Sequence, residues 1–491
     1  MNQFLNALIN DTNFKYTENG SLAHKTTRSD LLDFFAVGAS YRSRNDSDCI
    51  FLFKKAYAEN PEYALKCLFY IRAVRDGQGE RRFFRVVYNW LASYDTDAAR
   101  RNMKFIPELC RWDDLFCLFD TPLENKMLSF VTKQLALDVQ SKTPSLLAKW
   151  MPSINASKSA CKQAVRFKNY LKWTNKQYRK TLSILRARIN VLERLMSAGR
   201  WDEIEFDKIP SKAGFKYRNA FARRDMIKAK YHAFMKDEKT TVNAGTLYPY
   251  ECVEKARGLR AGFWNTPALD DVQRLAINKY WENLKDYFNG ATFNGLAVID
   301  VSGSMFSGLA SVAPINVAIS LGLYCADKAQ GPFANHFITF SKDPRLVKVD
   351  GIDFCDKVWR MGNADWGYNT NLEAVFNMML QTAVNHETPA SGLPDHLIVI
   401  SDMEIDRSLN GYSTHTVVEN ARKKWARYGY KLPRLVYWNV NARNDTFLDN
   451  DPDATYISGF SPIIFEQLMT GKTGYDLMME VLNKECFAGI K

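Results

Sequence analysis

The stretch Gly295-Leu-Ala-Val-Ile-Asp300-Val-Ser302-Gly-Ser304 decides the fold of the C-terminal half of this chain. It begins as a continuously apolar run, which is typical of a parallel strand buried on both faces. Polar residues follow at the end of the strand, where open α/β sheets bind their ligands. One carboxylate and two hydroxyls on alternate residues supply the oxygen ligands that a hard cation such as Mg²⁺ prefers. The stretch therefore predicts an α/β domain with a metal site at the carboxyl edge of its sheet.

Strands and helices alternate beyond this stretch. Further apolar strands are predicted at 336–340, 346–349, 396–401 and 434–439, and helical stretches separate them at 314–328, 372–384, 417–428 and 462–469. Such alternation predicts a doubly wound parallel sheet, which we assign to a domain over residues 290–491.

Two later loops offer more oxygen ligands. Thr370 lies in Gly367-Tyr-Asn-Thr-Asn-Leu372, and Asp402 follows the apolar strand at 396–401. The predicted metal ligands are therefore Asp300, Ser302, Ser304, Thr370 and Asp402, and the predicted cofactor is Mg²⁺ or another divalent cation. The alternative interpretation is a tight turn whose Ser and Asp side chains cap the next helix.

Residues 1–285 show helical periodicity instead. Asn60-Pro61 opens a helix, and others are expected near 80–91, 99–105, 112–119 and 124–139. Thr174 and Gln177 form a capping box ahead of a helix whose apolar residues recur every three or four positions. Two helices in each ~40 residues predict an α-helical HEAT-like solenoid or ring.

The positive charge of the chain is concentrated in one segment. The net charge is +12, but residues 158–236 alone hold 21 Lys and Arg against 6 Asp and Glu, a local net charge of +15. Such a concentration predicts a polyanionic partner, nucleic acid first and an acidic membrane surface second. The alternative is a solvated helical face without a partner. The residues predicted to contact RNA phosphates are Lys162, Arg166, Lys168, Lys172, Lys176, Arg179, Arg186 and Arg188.

Aromatic residues lie among these cations. Tyr170, Trp173, Tyr217 and Phe221 could stack on unpaired bases, although each could equally belong to a helix core.

Several protein classes are disfavoured by the sequence. No apolar run reaches the ~18 residues that a transmembrane helix needs, and the N-terminal residues do not resemble a secretory signal. Nine cysteines without a Cys-x-x-Cys spacing favour reduced thiols and a cytoplasmic location. Ser302 lacks a G-x-S-x-G context, and the six histidines are scattered, so we expect no enzymatic activity.

The D-x-S-x-S run, with Thr370 and Asp402 in the later loops, resembles the metal-ion-dependent adhesion site of von Willebrand factor A domains. Such a domain after a helical module resembles the Ro ribonucleoprotein autoantigens, whose TROVE module is a ring of helical repeats. The resemblance is carried by Ile71–Arg81, Ile106–Leu115, Trp366–Leu372 and Ser401–Glu404, and it is closest to an uncharacterised branch with this two-part layout.

The resemblance implies RNA binding. Ro proteins bind small structured RNAs on the basic outer face of the ring and admit single-stranded ends to its centre. The insert at 152–260 departs from the Ro pattern, so no RNA contacts are transferred to it. Within the motif at 71–81, Arg72, Arg75, Arg81 and Arg82 either face the ring interior or pair with Asp76, Glu80 and the helix ends.

We therefore expect a non-enzymatic RNA-binding ribonucleoprotein component, with a helical domain over 1–285 and a metal-site domain that binds a partner. The alternative is a protein-interaction scaffold without RNA, whose bound cation is completed by a carboxylate of the partner.

Overall fold

The computed structural model describes residues 13–189, 191–257, 269–306, 312–340, 342–362, 370–406, 416–449, 451 and 453–491. They form two compact units that are not consecutive in sequence. One unit, here the helical unit, contains residues 72–246, 271–283 and 489–491; the other, here the sheet unit, contains residues 1–71, 247–270 and 284–488. This division does not coincide with the boundary expected between 285 and 290, because the first helices of the chain belong to the sheet unit.

The sheet unit begins with a hairpin of strands β1 (Phe14–Tyr16) and β2 (Leu22–His24). Its first helices are α1 (Asp30–Val37), α2 (Asp46–Glu59) and α3 (Pro61–Arg72), the last of which runs into the boundary of the helical unit. Leu31, Phe34 and Phe35 of α1 are buried, since this helix packs against the last strand of the sheet. Burial of that apolar face explains why the N-terminal helices join the sheet.

The helical unit is built from eleven further described α-helices and several short 3₁₀ turns. The helices are α4 (Arg81–Tyr94), α5 (Thr96–Asn102), α6 (Ile106–Leu109), α7 (Glu124–Gln140), α8 (Leu147–Trp150), α9 (Lys158–Tyr170), α10 (Asn175–Arg188), α11 (Leu192–Ser197), α12 (Ser211–Arg223), α13 (Asp225–Lys236) and, after α14 (Pro249–Arg257) of the sheet unit, α15 (Asp271–Glu282). The 3₁₀ turns are Met103–Phe105, Trp112–Leu118 and Phe206–Lys208. The helical prediction for this part of the chain is confirmed, and the capping box of Thr174 and Gln177 begins α10 as expected.

The sheet has six strands in the order β5-β4-β3-β6-β7-β8. The strands are β3 (Gly295–Asp300), β4 (His336–Phe340), β5 (Leu346–Lys348), β6 (His396–Ser401), β7 (Arg434–Asn439) and β8 (Thr455–Ser458). Only β5 runs antiparallel to its neighbour; all other pairs are parallel. The helices around the sheet are α16 (Pro314–Lys328), α17 (Phe354–Gly362), α18 (Leu372–Asn385), α19 (Val417–Arg427), α20 (Ile463–Leu468) and α21 (Gly474–Leu482).

The predicted α/β architecture is confirmed. Described α-helices follow β3, β5, β6 and β8, and every residue of β3 and β8 is buried. Strand β8 and the N-terminal hairpin were not predicted. In the described parts of the chain, no helix combines the length and the apolarity that crossing a bilayer requires.

Candidate metal centre and basic surface

The polar residues after β3 and β6 meet because the two strands are parallel neighbours. Ile299 of β3 pairs with Ile400 of β6, so Asp300 and Ser401 lie side by side at the carboxyl edge of the sheet. Asp300, Ser401 and Asp402 have no exposed surface, and Ser302 has 5%. The sheet thus places two carboxylates and several hydroxyls in one buried cluster.

Hydrogen bonds fix the Asp300 side of this cluster. Oδ1 of Asp300 accepts the backbone N–H of Ser302 at 2.8 Å, and Oδ2 accepts the hydroxyl of Ser401 at 2.5 Å. The short 3₁₀ turn Gly303–Phe306 folds the loop back, and the hydroxyl oxygens of Ser302 and Ser304 lie 3.0 Å apart. Three of the predicted ligands are therefore held together by the loop that follows β3.

Asp402 has an incompletely satisfied carboxylate. Oδ1 accepts the backbone N–H of Glu404 at 3.3 Å, whereas Oδ2 is buried and receives no aligned hydrogen bond from the described residues. Nη2 of Arg443 lies 3.2 Å from Oδ2 and supplies the nearest positive charge. Burial raises the pKa of Asp402, against the opposing effects of Arg443 and of a hydrogen bond with Ser304. Burial and the charge of Asp402 raise the pKa of Asp300 in turn.

Thr370 is engaged elsewhere at the same edge. Its hydroxyl lies 2.8 Å from Oδ1 of Asp406 and 3.1 Å from the carbonyl oxygen of Glu404, and its backbone N–H donates to Asp406 at 2.8 Å. These bonds attach Thr370 to the segment after β6, and the hydrogen bonds of the described residues do not connect it directly with Asp300, Ser302, Ser304 or Asp402. Residues 363–369, which precede Thr370, lie outside the described residues.

The sequence analysis missed the turn of the N-terminal hairpin, which adjoins this cluster. The backbone N–H of Glu18 donates to Oε2 of Glu404 at 2.7 Å, and Nδ2 of Asn19 donates to Oγ1 of Thr370 at 3.2 Å. Glu18 also pairs with Arg443 at 2.7 Å, so Arg443 lies between Glu18 and Asp402. The dipeptide Asn19-Gly20 was the available signal, because it is a common hairpin-turn sequence.

The donor set fits a hard divalent cation. The side chains of Asp300, Ser302, Ser304 and Asp402 offer oxygen ligands only, and the buried Oδ2 of Asp402 lacks an aligned donor, although Nη2 of Arg443 lies 3.2 Å from it. In the described part of the chain, no group of three or more His, Cys, Asp or Glu side chains is arranged to hold a metal. Any cation here would therefore depend on two carboxylates together with hydroxyls and water.

The predicted RNA-contacting residues divide into two groups in the structure. Lys162, Lys172, Lys176 and Arg179 are exposed on α9, on the turn between α9 and α10, and on the first turn of α10, and Lys168 is half-buried. Lys172, Lys176 and Arg179 form no salt bridge with any described carboxylate. These three cations are available to solvent.

The other three predicted residues are bound within the helical unit. Arg166 forms a two-point pair with Glu124 and a second ion pair with Asp120 at 2.9 Å. Arg188 donates to the carbonyl oxygens of Val139 and Ser141, where α7 ends.

Arg186 joins α10 to the loop after α8. Its guanidinium donates to the carbonyl oxygens of Ala148 and Met151, both at 2.8 Å, and to the hydroxyl of Ser153 at 3.2 Å. Arg186 therefore stabilises the packing of α10 within the helical unit.

The aromatic residues predicted to stack on bases differ in their exposure to solvent. Phe221 is buried beside Trp201, Phe206 and Tyr231, so it belongs to a core. Tyr170 at the end of α9 keeps 42% of its surface exposed, as a base-stacking residue requires.

The arginine motif at 71–81 includes a structural ion pair. Arg72 is 3% exposed, and its Nε and Nη2 donate to Oδ2 of Asp114 at 2.8 and 2.6 Å. Arg85 donates to Oδ1 of the same carboxylate at 2.7 Å. Neither partner suggested for Arg72 from the sequence, Asp76 or Glu80, forms this pair.

Two known proteins are similar to this chain over most of its length. The chain is similar to the crystal structure of the Ro (RSR) protein of Deinococcus radiodurans over 95% of its own length and 100% of that chain, with 14% identity and a TM-score of 0.40. The predicted order, helices followed by a sheet domain, is seen in the structure of this chain. The chain is also 29% identical to the uncharacterized protein L728 of Acanthamoeba polyphaga mimivirus, over 94% of this chain and 85% of that protein.

Two sequence families match consecutive parts of the chain. Residues 294–485, which contain the six-stranded sheet, match the domain of unknown function DUF7788. Residues 17–113 and 127–289, more than half of the chain, match the domain of unknown function DUF2828. The chain belongs to the DUF2828 family.

Proposed function

We propose that this protein is a non-enzymatic, cytoplasmic RNA-binding component of a ribonucleoprotein, and that the helical unit supplies the RNA surface. The observation that carries the proposal is the group of exposed cations Lys172, Lys176 and Arg179, which pair with no described carboxylate and lie within a segment of local net charge +15. Cations without a carboxylate partner can displace counterions from phosphates, which is the main source of sequence-independent affinity. Exposed Tyr170 lies two residues before Lys172 and could stack on a base.

The proposal is tested with a triple variant, Lys172→Ser, Lys176→Ser and Arg179→Ser. Arg166, Arg186 and Arg188 are left intact because their internal bonds stabilise the fold. Binding of single-stranded RNA should weaken, and the slope of log affinity against log salt should become less steep by up to about 2, at ~0.7 for each lost phosphate contact.

A charge-matched control is available in the sheet unit. Lys423→Ser, Arg427→Ser and Lys431→Ser also remove three exposed cations, two Lys and one Arg. The control should bind RNA as the unmodified protein does. Equal losses in both variants, or an unchanged salt slope in a folded Lys172/Lys176/Arg179 variant, would contradict the proposal and favour the scaffold function.

We further propose that the sheet unit binds Mg²⁺ or another divalent cation through Asp300, Ser302, Ser304 and Asp402, with Thr370 at its edge. Two adjacent buried carboxylates and the unsatisfied Oδ2 of Asp402 support this assignment. A bound cation would neutralise the carboxylates and present an open position to the carboxylate of a protein partner.

Asp402→Ala tests the metal proposal. A Mg²⁺-dependent rise in melting temperature is expected for the unmodified protein and should be lost in the variant. The same Mg²⁺ response in both proteins would refute this site. RNA binding should be unaffected by Asp402→Ala, since the carboxylate belongs to the sheet unit.

A further inference from the structure

A pocket of about 400 Å³ opens in the helical unit beside helix α10. Its walls come from the loop at 153–155, from α10 and from the segment 191–197 that contains α11. The volume lies within the range of small-ligand sites, roughly 300–1,000 Å³. All of the lining residues belong to this one compact unit.

Among the charged residues that line the pocket, cations outnumber anions. Arg179, Arg186 and Arg194 line it, and Glu193 is the only acidic residue among the described lining residues. The hydroxyl of Tyr217 donates to Oε1 of Glu193 at 3.2 Å, which engages that carboxylate. The pocket therefore carries a net charge of about +2, which suits a doubly charged anion.

Arg186 has no anionic partner among the described residues. Its three hydrogen bonds end on two backbone carbonyls and one serine hydroxyl, all of them neutral. Burial lowers its pKa, since the guanidinium is partly removed from water without a compensating charge. A guanidinium has five N–H groups, so donors remain for an anion in the pocket.

The uncharged residues that line the pocket indicate what kind of ligand it could hold. Ser153 and Ser183 add hydroxyl groups, whereas Ile154, Leu182 and Val191 provide apolar surface. A nucleotide combines a phosphate with an apolar, planar base. A terminal phosphomonoester carries close to two negative charges at neutral pH, whereas an internal phosphodiester carries one.

We propose that this pocket binds a nucleotide through its terminal phosphomonoester, and that the nucleotide is the phosphorylated end of an RNA strand. The second part rests on the proposed RNA-binding function, because Arg179 belongs both to the pocket and to the exposed basic surface. The guanidinium groups would hold the phosphate, and the apolar wall would contact the terminal base.

The test compares single-stranded oligonucleotides of one sequence that carry a 5′-phosphate, a 3′-phosphate or hydroxyls at both ends. At constant salt, one phosphorylated form should bind the intact chain about tenfold more tightly than the hydroxyl form, since charge-assisted hydrogen bonds are the strong ones. Adenosine monophosphate is the probe for a free nucleotide and should compete only at higher concentration.

Arg194→Gln is the decisive variant, because Arg194 is exposed and lines the pocket. It should remove the preference for the phosphorylated end and leave binding of the hydroxyl-ended strand nearly unchanged. Arg223→Gln is the matched control, an exposed arginine of the same basic segment outside the pocket, and it should keep the preference.

The outcomes separate the two proposals. Binding of the hydroxyl-ended strand without a preference for a phosphate would overturn the pocket and leave the RNA surface standing. Equal loss of the preference in both variants would also overturn it, since a general charge effect would then explain the data. Tight binding of adenosine monophosphate without RNA binding would overturn the RNA assignment and retain a nucleotide pocket.

Discussion

Removal of the Asp114 carboxylate should destabilise the helical unit strongly. Asp114 has no exposed surface and receives three N–H groups from the side chains of Arg72 and Arg85, besides the backbone N–H of Arg111 at 3.1 Å. In Asp114→Ala, Arg85 keeps its bond to Asp113 at 2.7 Å, but the 3%-exposed guanidinium of Arg72 loses the carboxylate with which it pairs. Breaking a buried pair in this way costs about 3–5 kcal/mol, because a desolvated charge is left without compensation.

Native-state hydrogen exchange can measure this cost locally. Peptides from α4 and from residues 112–118 should lose protection in Asp114→Ala by an amount that corresponds to about 3–5 kcal/mol. Asp97→Ala is the control, since Asp97 and Arg100 form an exposed pair, with side-chain exposures of 72% and 49%, and such pairs contribute about 0–1 kcal/mol. Equal, small changes in the two variants would refute the argument that burial makes the Arg72–Asp114 pair costly to break.

Three further predictions concern the sheet unit. Arg443→Ala should raise the affinity for Mg²⁺ about tenfold in calorimetric titration, because the positive charge of Arg443 beside Oδ2 of Asp402 opposes binding of a cation there. Arg443→Lys keeps the charge and should leave the affinity unchanged, and equal affinities of the Ala variant and the unmodified protein would contradict the prediction. Burial lowers the pKa of His396, so the imidazole binds a proton less readily in the folded state than in the unfolded chain. The free energy of unfolding should therefore decrease as the pH drops below about 6.5. In His396→Phe, melting temperatures should therefore depend less on pH between about 7 and 5, and an unchanged pH profile would contradict this. Gly322→Ala should destabilise the protein by about 1–3 kcal/mol in urea unfolding, since the new Cβ would lie 2.1 Å from Cδ1 of Ile299 on β3, and an unchanged midpoint would show that the side chain moves aside freely.

Strands with a strong local signal were predictable. The bounds of β3 and β6 match the prediction residue for residue, because strands buried on both faces are continuously apolar. Strand β8 was not predictable, because Thr455-Tyr-Ile-Ser458 is short and only half apolar. Its burial depends on packing against α1, which lies near the N-terminus.

The candidate metal site also contains residues that the sequence predicts and residues that it does not. The D-x-S-x-S run and Asp402 could be identified because each directly follows an apolar strand, and adjacent parallel strands bring such residues to one edge. No local pattern indicates that Glu18 and Arg443 join them, since one pair links the N-terminal hairpin to the loop after β7 and the other links that loop to the segment after β6.

Neighbouring residues were enough to predict where positive charge accumulates, the helices and strands with a clear periodicity, and the oxygen ligands that follow β3 and β6. The tertiary structure was needed to show which cations lack a carboxylate partner. Arg166, Arg186 and Arg188 lie in the same basic segment as Lys172 and Lys176, yet their side chains bind carboxylates or carbonyl oxygens supplied by other segments. Pairing of charges depends on three-dimensional proximity, and desolvation then fixes whether an arginine stabilises the fold or remains available to a ligand.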